Sequence, residues 1–151
     1  MAGTREAMIY IDSSSLLKTL WAEPESPAVR SVIATESHVV ISALTELETE
    51  VQLRAKWLGG AVTKRRYDAY QAMLTSFRDT APFDFRSLPG NVFQRAIQRH
   101  RSGRRHCRSL DRLHLAAMEE LGVSRLLTND AKQATAARLL GYQVVSPAAE
   151  L

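Results

Sequence analysis

Residues 8–18 read MIYIDSSSLLK. Met8 to Ile11 are four consecutive apolar or aromatic residues, the pattern of a short strand buried on both faces. Asp12 follows at once, then three serines, then a helix carrying Leu16, Leu17 and Leu20. A carboxylate therefore stands at the C-terminal end of a strand apolar enough to be central. In open α/β sheets that edge is where ligands bind. Asp and Ser are also good helix caps, and a strand–Asp–helix junction by itself needs no chemistry. What recurs downstream decides between the two readings.

Downstream, the same alternation continues. The turn AEPESP precedes a helix over 27–35, and His38 to Ile41 read as a second buried strand. Ser42 starts a long helix over 43–58, stopped by Gly59-Gly60. Leu44, Leu47, Val51, Ala55 and Leu58 fall at spacings of three and four and predict its core stripe, with Leu53 and Trp57 on another face. Thr63 caps a helix to about Arg78, with Tyr67, Tyr70, Met73, Leu74 and Phe77 as apolar positions. Pro82, Pro89 and Gly90 bracket a loop containing Phe83-Asp84-Phe85. Further helices are predicted over 91–100, 109–121 and 131–140, with strands over 124–127 and 142–145. In the 109–121 helix, Leu110, Leu113, Ala117 and Leu121 make the buried stripe. Strands alternating with helices throughout predict an α/β fold with a central parallel sheet of four to five strands and helices on both faces.

At 151 residues the chain is expected to form one domain, 1–151, and 45% hydrophobic content supplies a core. Cys107 is the only cysteine, which rules out an intrachain disulfide framework and points to a reducing compartment. Its neighbours Arg105, His106 and Arg108 are expected to lower its pKa. There is no run of about 18 apolar residues, and no signal-peptide pattern around Arg5 and Glu6, so a cytoplasmic protein is expected. The net charge of +4 suits an anionic partner. From Arg86 to Leu110 there is no acidic residue, and Arg95, Arg99, Arg101, Arg104, Arg105 and Arg108 fall in that interval. Such a run is ordinarily a solvated surface, but this one leads straight into Asp111.

Two strand ends carry an Asp: Asp12 after MIYI and Asp130 after LLTN. Asp111 sits in the first turn of its helix, one position off Leu110. Glu48 lies one turn from Leu44 and beside Leu47, so helical geometry favours it over Glu46 for a place at the border of the core. Each of the four has an ordinary use as a cap, a helix-terminus charge or a solvated residue. Gathered in one pocket they would repel one another and raise each other's pKa. A hard divalent cation with oxygen ligands, Mg²⁺ or Mn²⁺, resolves that conflict.

The segments IDSSSLLK, VISALTELETEV, SLDRLHLAAMEELG and LLTNDAKQATAARLLGY, in this order and spacing, resemble PIN-domain ribonucleases of the VapC toxin type. The resemblance runs from about Met8 to Ser146. It implies an acidic quartet of Asp12, Glu48, Asp111 and Asp130, and Ser42, six positions before Glu48, fits the second motif. Ser13 or Ser14, and Thr128, match polar positions flanking the metal site. The resemblance further implies an endoribonuclease that hydrolyses phosphodiester bonds with Mg²⁺ or Mn²⁺, a homodimer, and inhibition by a cognate VapB-type antitoxin. Asp12, Asp111 and Asp130 would be ligands; Glu48 would be a ligand or would orient the attacking water. Arg101, Arg104, Arg105 and Arg108 are the candidates for drawing in the RNA backbone. His114 is expected to be a packed, hydrogen-bonded core residue. Competing readings are a PIN-like module that binds RNA or protein without cleaving, and a phosphoacceptor receiver domain. The latter lacks its second acidic residue near Asp12 and its Lys after the last strand.

Overall fold

The computed structural model describes residues 7–148; Arg5 and Glu6 lie outside that range. Along it run β1 (Met8–Ile11), α1 (Ser13–Leu20), α2 (Ser26–Thr35), β2 (His38–Ser42), α3 (Ala43–Leu58), α4 (Lys64–Ser76), β3 (Phe83–Arg86), α5 (Val92–Ser102), α6 (Ser109–Leu121), β4 (Arg125–Leu127), α7 (Ala131–Leu139) and β5 (Gln143–Val145). The strands form one five-stranded sheet in the order β3-β2-β1-β4-β5, and every pairing is parallel. β1 is central. The chain moves outward through β2 and β3 on one side and through β4 and β5 on the other. The reversal between β1 and β4 opens a crevice at their C-terminal ends.

β1 is buried along its whole length and divides its side chains between two cores. Met8 and Tyr10 join Leu115, Met118 and Ala137 on the face covered by α5, α6 and α7. Ile9 and Ile11 join Leu16, Val29, Leu53 and Leu74 on the opposite face. This is the two-sided burial that the apolar run MIYI requires.

Four expectations are corrected. The buried face of α3 is not the Leu47–Val51–Leu58 stripe. Leu47 is 60% exposed and Val51 and Leu58 are also exposed, whereas Thr45, Thr49 and Leu53 are buried. Thr45 donates its hydroxyl to the Ile11 carbonyl at 2.9 Å and Thr49 to the Thr45 carbonyl at 2.7 Å, so both bury their polar atoms satisfied. A hydrophobicity count alone passes over them. Trp57, on the Leu53 side, stacks on Tyr67 of α4 at 4.9 Å. Leu53→Ala should therefore cost about 2–5 kcal/mol in urea unfolding, and Leu47→Ala less than about 0.5 kcal/mol; the reverse order would restore the original stripe.

On α6, Leu110 is 50% exposed, and the buried side carries Asp111, His114, Leu115 and Met118. Asp111 thus sits on the buried face itself. The bracketed Phe83-Asp84-Phe85 segment is a strand, β3, at the sheet edge. Its half-buried alternation was masked by the flanking prolines; such residues are tolerated at edges. On α4, Met73 is also exposed, while Tyr67 and Leu74 are buried.

Candidate active site

Asp12 follows β1 and caps α1. Its Oδ1 accepts the Ser14 hydroxyl at 2.6 Å and the Ser15 amide at 3.2 Å; its Oδ2 accepts the Thr128 hydroxyl. The capping and functional readings are therefore not rivals: the cap fixes the carboxylate. Thr128 stands at the end of β4, whose Leu127 is the register partner of Ile11. The crevice between β1 and β4 is thereby lined by Asp12 on one side and Thr128 on the other. Ser14 also accepts the Asn129 amide at 2.9 Å, which ties the two strand ends together. Of the two candidate serines, Ser14 contacts Asp12; Ser13 is buried.

Asp130 caps α7 through Oδ1, which accepts the Lys132 and Gln133 amides at 2.9 and 3.2 Å. Its own amide donates to the Thr128 hydroxyl oxygen at 3.0 Å, linking it through one residue to Asp12. Its Oδ2 accepts from Arg108 Nη2 at 2.6 Å, and Arg108 Nε donates to Asp111 Oδ2 at 2.5 Å. Asp12, Asp111 and Asp130 each lie at or within the first turn of a helix, where the partial positive charge of the helix end favours a carboxylate.

Glu48 stands on α3 and is linked to α6. It accepts a hydrogen bond from Nε2 of buried His114, one turn beyond Asp111 on α6. The ring's other nitrogen, Nδ1, lies 2.6 Å from the Tyr10 hydroxyl, which is also 2.6 Å from Ser42 Oγ. Burial pushes the Tyr10 phenol far up, so it remains a donor. Glu46, the rejected alternative, pairs with Arg78 at 2.6 Å.

Burial raises the Asp12 carboxyl despite the hydroxyls that donate to it. Burial also acts to raise Asp130, but the Arg108 hydrogen bond and the amides of Gln133 and Lys132 outweigh it and hold Asp130 below the usual carboxylate range. The donors offered are carboxylate and hydroxyl oxygens, the chemistry of a hard cation. Asp111 and Asp130 already share one cation, the Arg108 guanidinium. The residues fit a divalent ion by donor type and charge, although among the described residues no three acidic, His or Cys side chains are gathered as a ready-made ligand set.

The arginine run divides. Arg95 and Arg99 are ion-paired to Glu120 and Glu119 and fasten α5 to α6. Arg104, Arg105 and Arg108 line a cleft of about 940 Å³ with Arg112, Lys132 and Asp111. Arg101 is exposed and does not line it. Cys107 faces the same cleft, and partial burial raises its thiol above the usual range in spite of Arg112 and Arg108, contrary to the expectation of a lowered pKa. His114 is the packed, hydrogen-bonded core residue expected, but its partners Tyr10 and Glu48 and the bridging position of Arg108 were not anticipated. The sequence signal for the Tyr10 link is a tyrosine within an otherwise aliphatic strand.

A parallel sheet with this order, bearing carboxylates from both strands that flank its central crevice, defines a class. The chain belongs to the PIN-domain family, in its VapC-type ribonuclease branch: the PIN domain matches residues 9–139. It is similar to Ribonuclease VapC46 of Mycobacterium tuberculosis, 32% identical over 143 residues that cover 93% of this chain and 98% of the relative. Among solved structures, VapC20 of Mycobacterium tuberculosis, described as a Sarcin-Ricin loop cleaving toxin, shares the fold at TM-score 0.70 and 17% identity, over 92% of this chain and 99% of that one. FitAcB from Neisseria gonorrhoeae does so at TM-score 0.66 and 15% identity, over 93% and 98%. VapBC2 from Rickettsia felis, solved with a DNA fragment from its promoter, follows at 0.63 and 12%, over 92% and 98%. No helix among the described residues is long and apolar enough to cross a membrane.

Proposed function

We propose that this chain is the toxin of a type II toxin–antitoxin pair, a metal-dependent endoribonuclease that hydrolyses RNA phosphodiester bonds. It is held inactive by a cognate VapB-type antitoxin, and acts in the cytoplasm as a homodimer. The observation that carries the reading is the buried Asp12 carboxylate at the β1–β4 crevice, joined through Thr128 to Asp130 and through Arg108 to Asp111. Support also comes from the family membership and from the name of the curated relative.

Asp12, Asp111 and Asp130, with Glu48 beside them, would hold Mg²⁺ or Mn²⁺. The ion, when bound, would polarise the phosphoryl group and acidify a water. The chain's own residues do the rest. Ser14 and Thr128 fix the Asp12 carboxylate. Glu48, steadied by His114, orients the attacking water in line with the leaving sugar oxygen, giving a 5′-phosphate and a 3′-hydroxyl. Arg104, Arg105 and Arg108 present guanidinium groups to the RNA backbone at the mouth of the cleft, and Arg101 supplies charge from the last turn of α5.

Sequencing RNA 5′ ends after induction, wild type against Asp12→Ala, tests activity, substrate and cut site together. Discrete new 5′ ends seen only with the wild type support the nuclease; identical profiles with unchanged toxicity support a module that binds without cleaving. With purified protein, cleavage should need Mg²⁺ or Mn²⁺ and stop in EDTA. RNA affinity should fall steeply with salt, and Arg104→Ala/Arg105→Ala should flatten the slope of log K against log salt by about 1–2.

A further inference from the structure

Arg108 stands just before α6 and reaches two carboxylates that belong to different elements. Its Nε lies 2.5 Å from Asp111 Oδ2 and its Nη2 lies 2.6 Å from Asp130 Oδ2. On Asp130 this is the oxygen left over once capping has used Oδ1. The guanidinium therefore takes oxygen partners that a divalent ion at Asp111 and Asp130 would use, and its positive charge beside them opposes a second cation there. Yet the Arg108 side chain is 45% exposed and opens on the cleft lined by Arg104, Arg105, Arg112 and Lys132. A guanidinium fork suits a phosphate as well as a carboxylate. Exchanging its carboxylate partners for a phosphodiester trades two charge-assisted hydrogen bonds for others of the same kind at the cleft it already borders.

We propose, resting on the metal-dependent nuclease reading above, that Arg108 is an internal counter-ion that holds Asp111 and Asp130 until an RNA phosphate draws it off, so that RNA and the divalent ion bind cooperatively. Without RNA, Arg108 offsets part of the site's negative charge and occupies its oxygens, which leaves it poorly receptive to metal. With RNA, the released carboxylates are open to the ion while Arg108 grips the backbone. Linkage makes the effect reciprocal: the factor by which RNA tightens metal binding equals that by which metal tightens RNA binding.

Mn²⁺ binding to the full chain, followed by calorimetry and by the EPR signal of free Mn²⁺, separates this from a fixed structural clamp. Wild type, Arg108→Ala and Arg108→Gln are titrated with and without a short oligouridylate, its integrity checked on a gel. Without RNA, both variants should bind Mn²⁺ at least about fivefold more tightly than wild type. The oligouridylate should tighten Mn²⁺ binding to wild type by a similar factor and leave the variants unchanged. Matching circular dichroism spectra guard against misfolding; if Ala unfolds the chain, the Gln variant decides. Variants that bind Mn²⁺ no more tightly than wild type without RNA overturn the proposal, even if cleavage falls. Variants that respond to oligouridylate as wild type does overturn it as well. Absence of Mn²⁺ binding in every chain would overturn both this proposal and the metal-dependent reading beneath it.

Discussion

Asp12→Asn should reduce RNA cleavage by about a thousandfold and, in the same protein, raise the melting temperature. The first effect follows from removing the charge of the carboxylate at the crevice; forfeiting about 4 kcal/mol of transition-state stabilisation is about 10³ in rate. The second follows from burial. Asp12 is only 4% exposed and no cationic side chain among the described residues bonds to it. Its carboxyl is raised, so the ionised form costs folding free energy at neutral pH. Asparagine keeps an oxygen for Ser14 and the Ser15 amide, and offers an amide to the Thr128 oxygen. It should stabilise the metal-free protein by about 1 kcal/mol.

The pH dependence carries the same sign. As pH falls through the raised Asp12 value, the folded protein takes up a proton before the unfolded chain does, so the wild type gains stability that Asp12→Asn does not. Asp130 runs the other way. Its carboxyl is depressed, so its contribution is complete above the ordinary carboxylate value and is lost as pH falls through the lower folded value. Urea unfolding of wild type and Asp12→Asn between pH 7 and the ordinary carboxylate value, near 4, reads the first difference directly. Equal slopes for the two proteins would mean that Asp12 is not held at a cost.

His114→Ala is the second large effect. His114 joins Glu48 to Tyr10 and Ser42 through one buried chain of hydrogen bonds. Removing it frees Glu48 to rotate and leaves the Tyr10 hydroxyl with one partner fewer in the core. Cleavage should fall about 10–100-fold, as is usual when a group behind a metal-site carboxylate is lost. Stability should fall by about 2–3 kcal/mol. Two further variants separate the consequences. His114→Gln retains an N–H donor for Glu48 and should recover part of the activity. Tyr10→Phe removes only the far end of the chain and should act mainly on stability. An Ala variant as active as wild type would show that Glu48 needs no such support.

The positions of the strands and helices were legible because each strand is a short apolar run closed by a turn or cap, as MIYI–Asp12 is; the strand order was not. β3 was obscured because Phe83 and Phe85 sit at an edge, half-buried, between prolines. On α6 the expected Leu113, Ala117 and His114 are buried, but part of each face of α3 and α6 was misassigned for one physical reason. Thr45, Thr49 and Asp111 are polar yet buried, since each finds a hydrogen-bond partner on another element, on its own helix or just before it. Leu47 and Leu110 are apolar and exposed. A periodicity count weighs side-chain type and cannot see those partners. The bridge made by Arg108 was illegible for a related reason. It depends on the approach of the α6 and α7 N-termini, which is a property of the sheet order.

An anomalous difference map from crystals grown with Mn²⁺ and an RNA oligonucleotide tests the central claim most directly. The expected result is a peak in the β1–β4 crevice at about 2.1–2.2 Å from carboxylate oxygens that include Asp12 and Asp130. No peak there under saturating Mn²⁺, with the Asp12 carboxylate still engaged only by Ser14, Ser15 and Thr128, would contradict it.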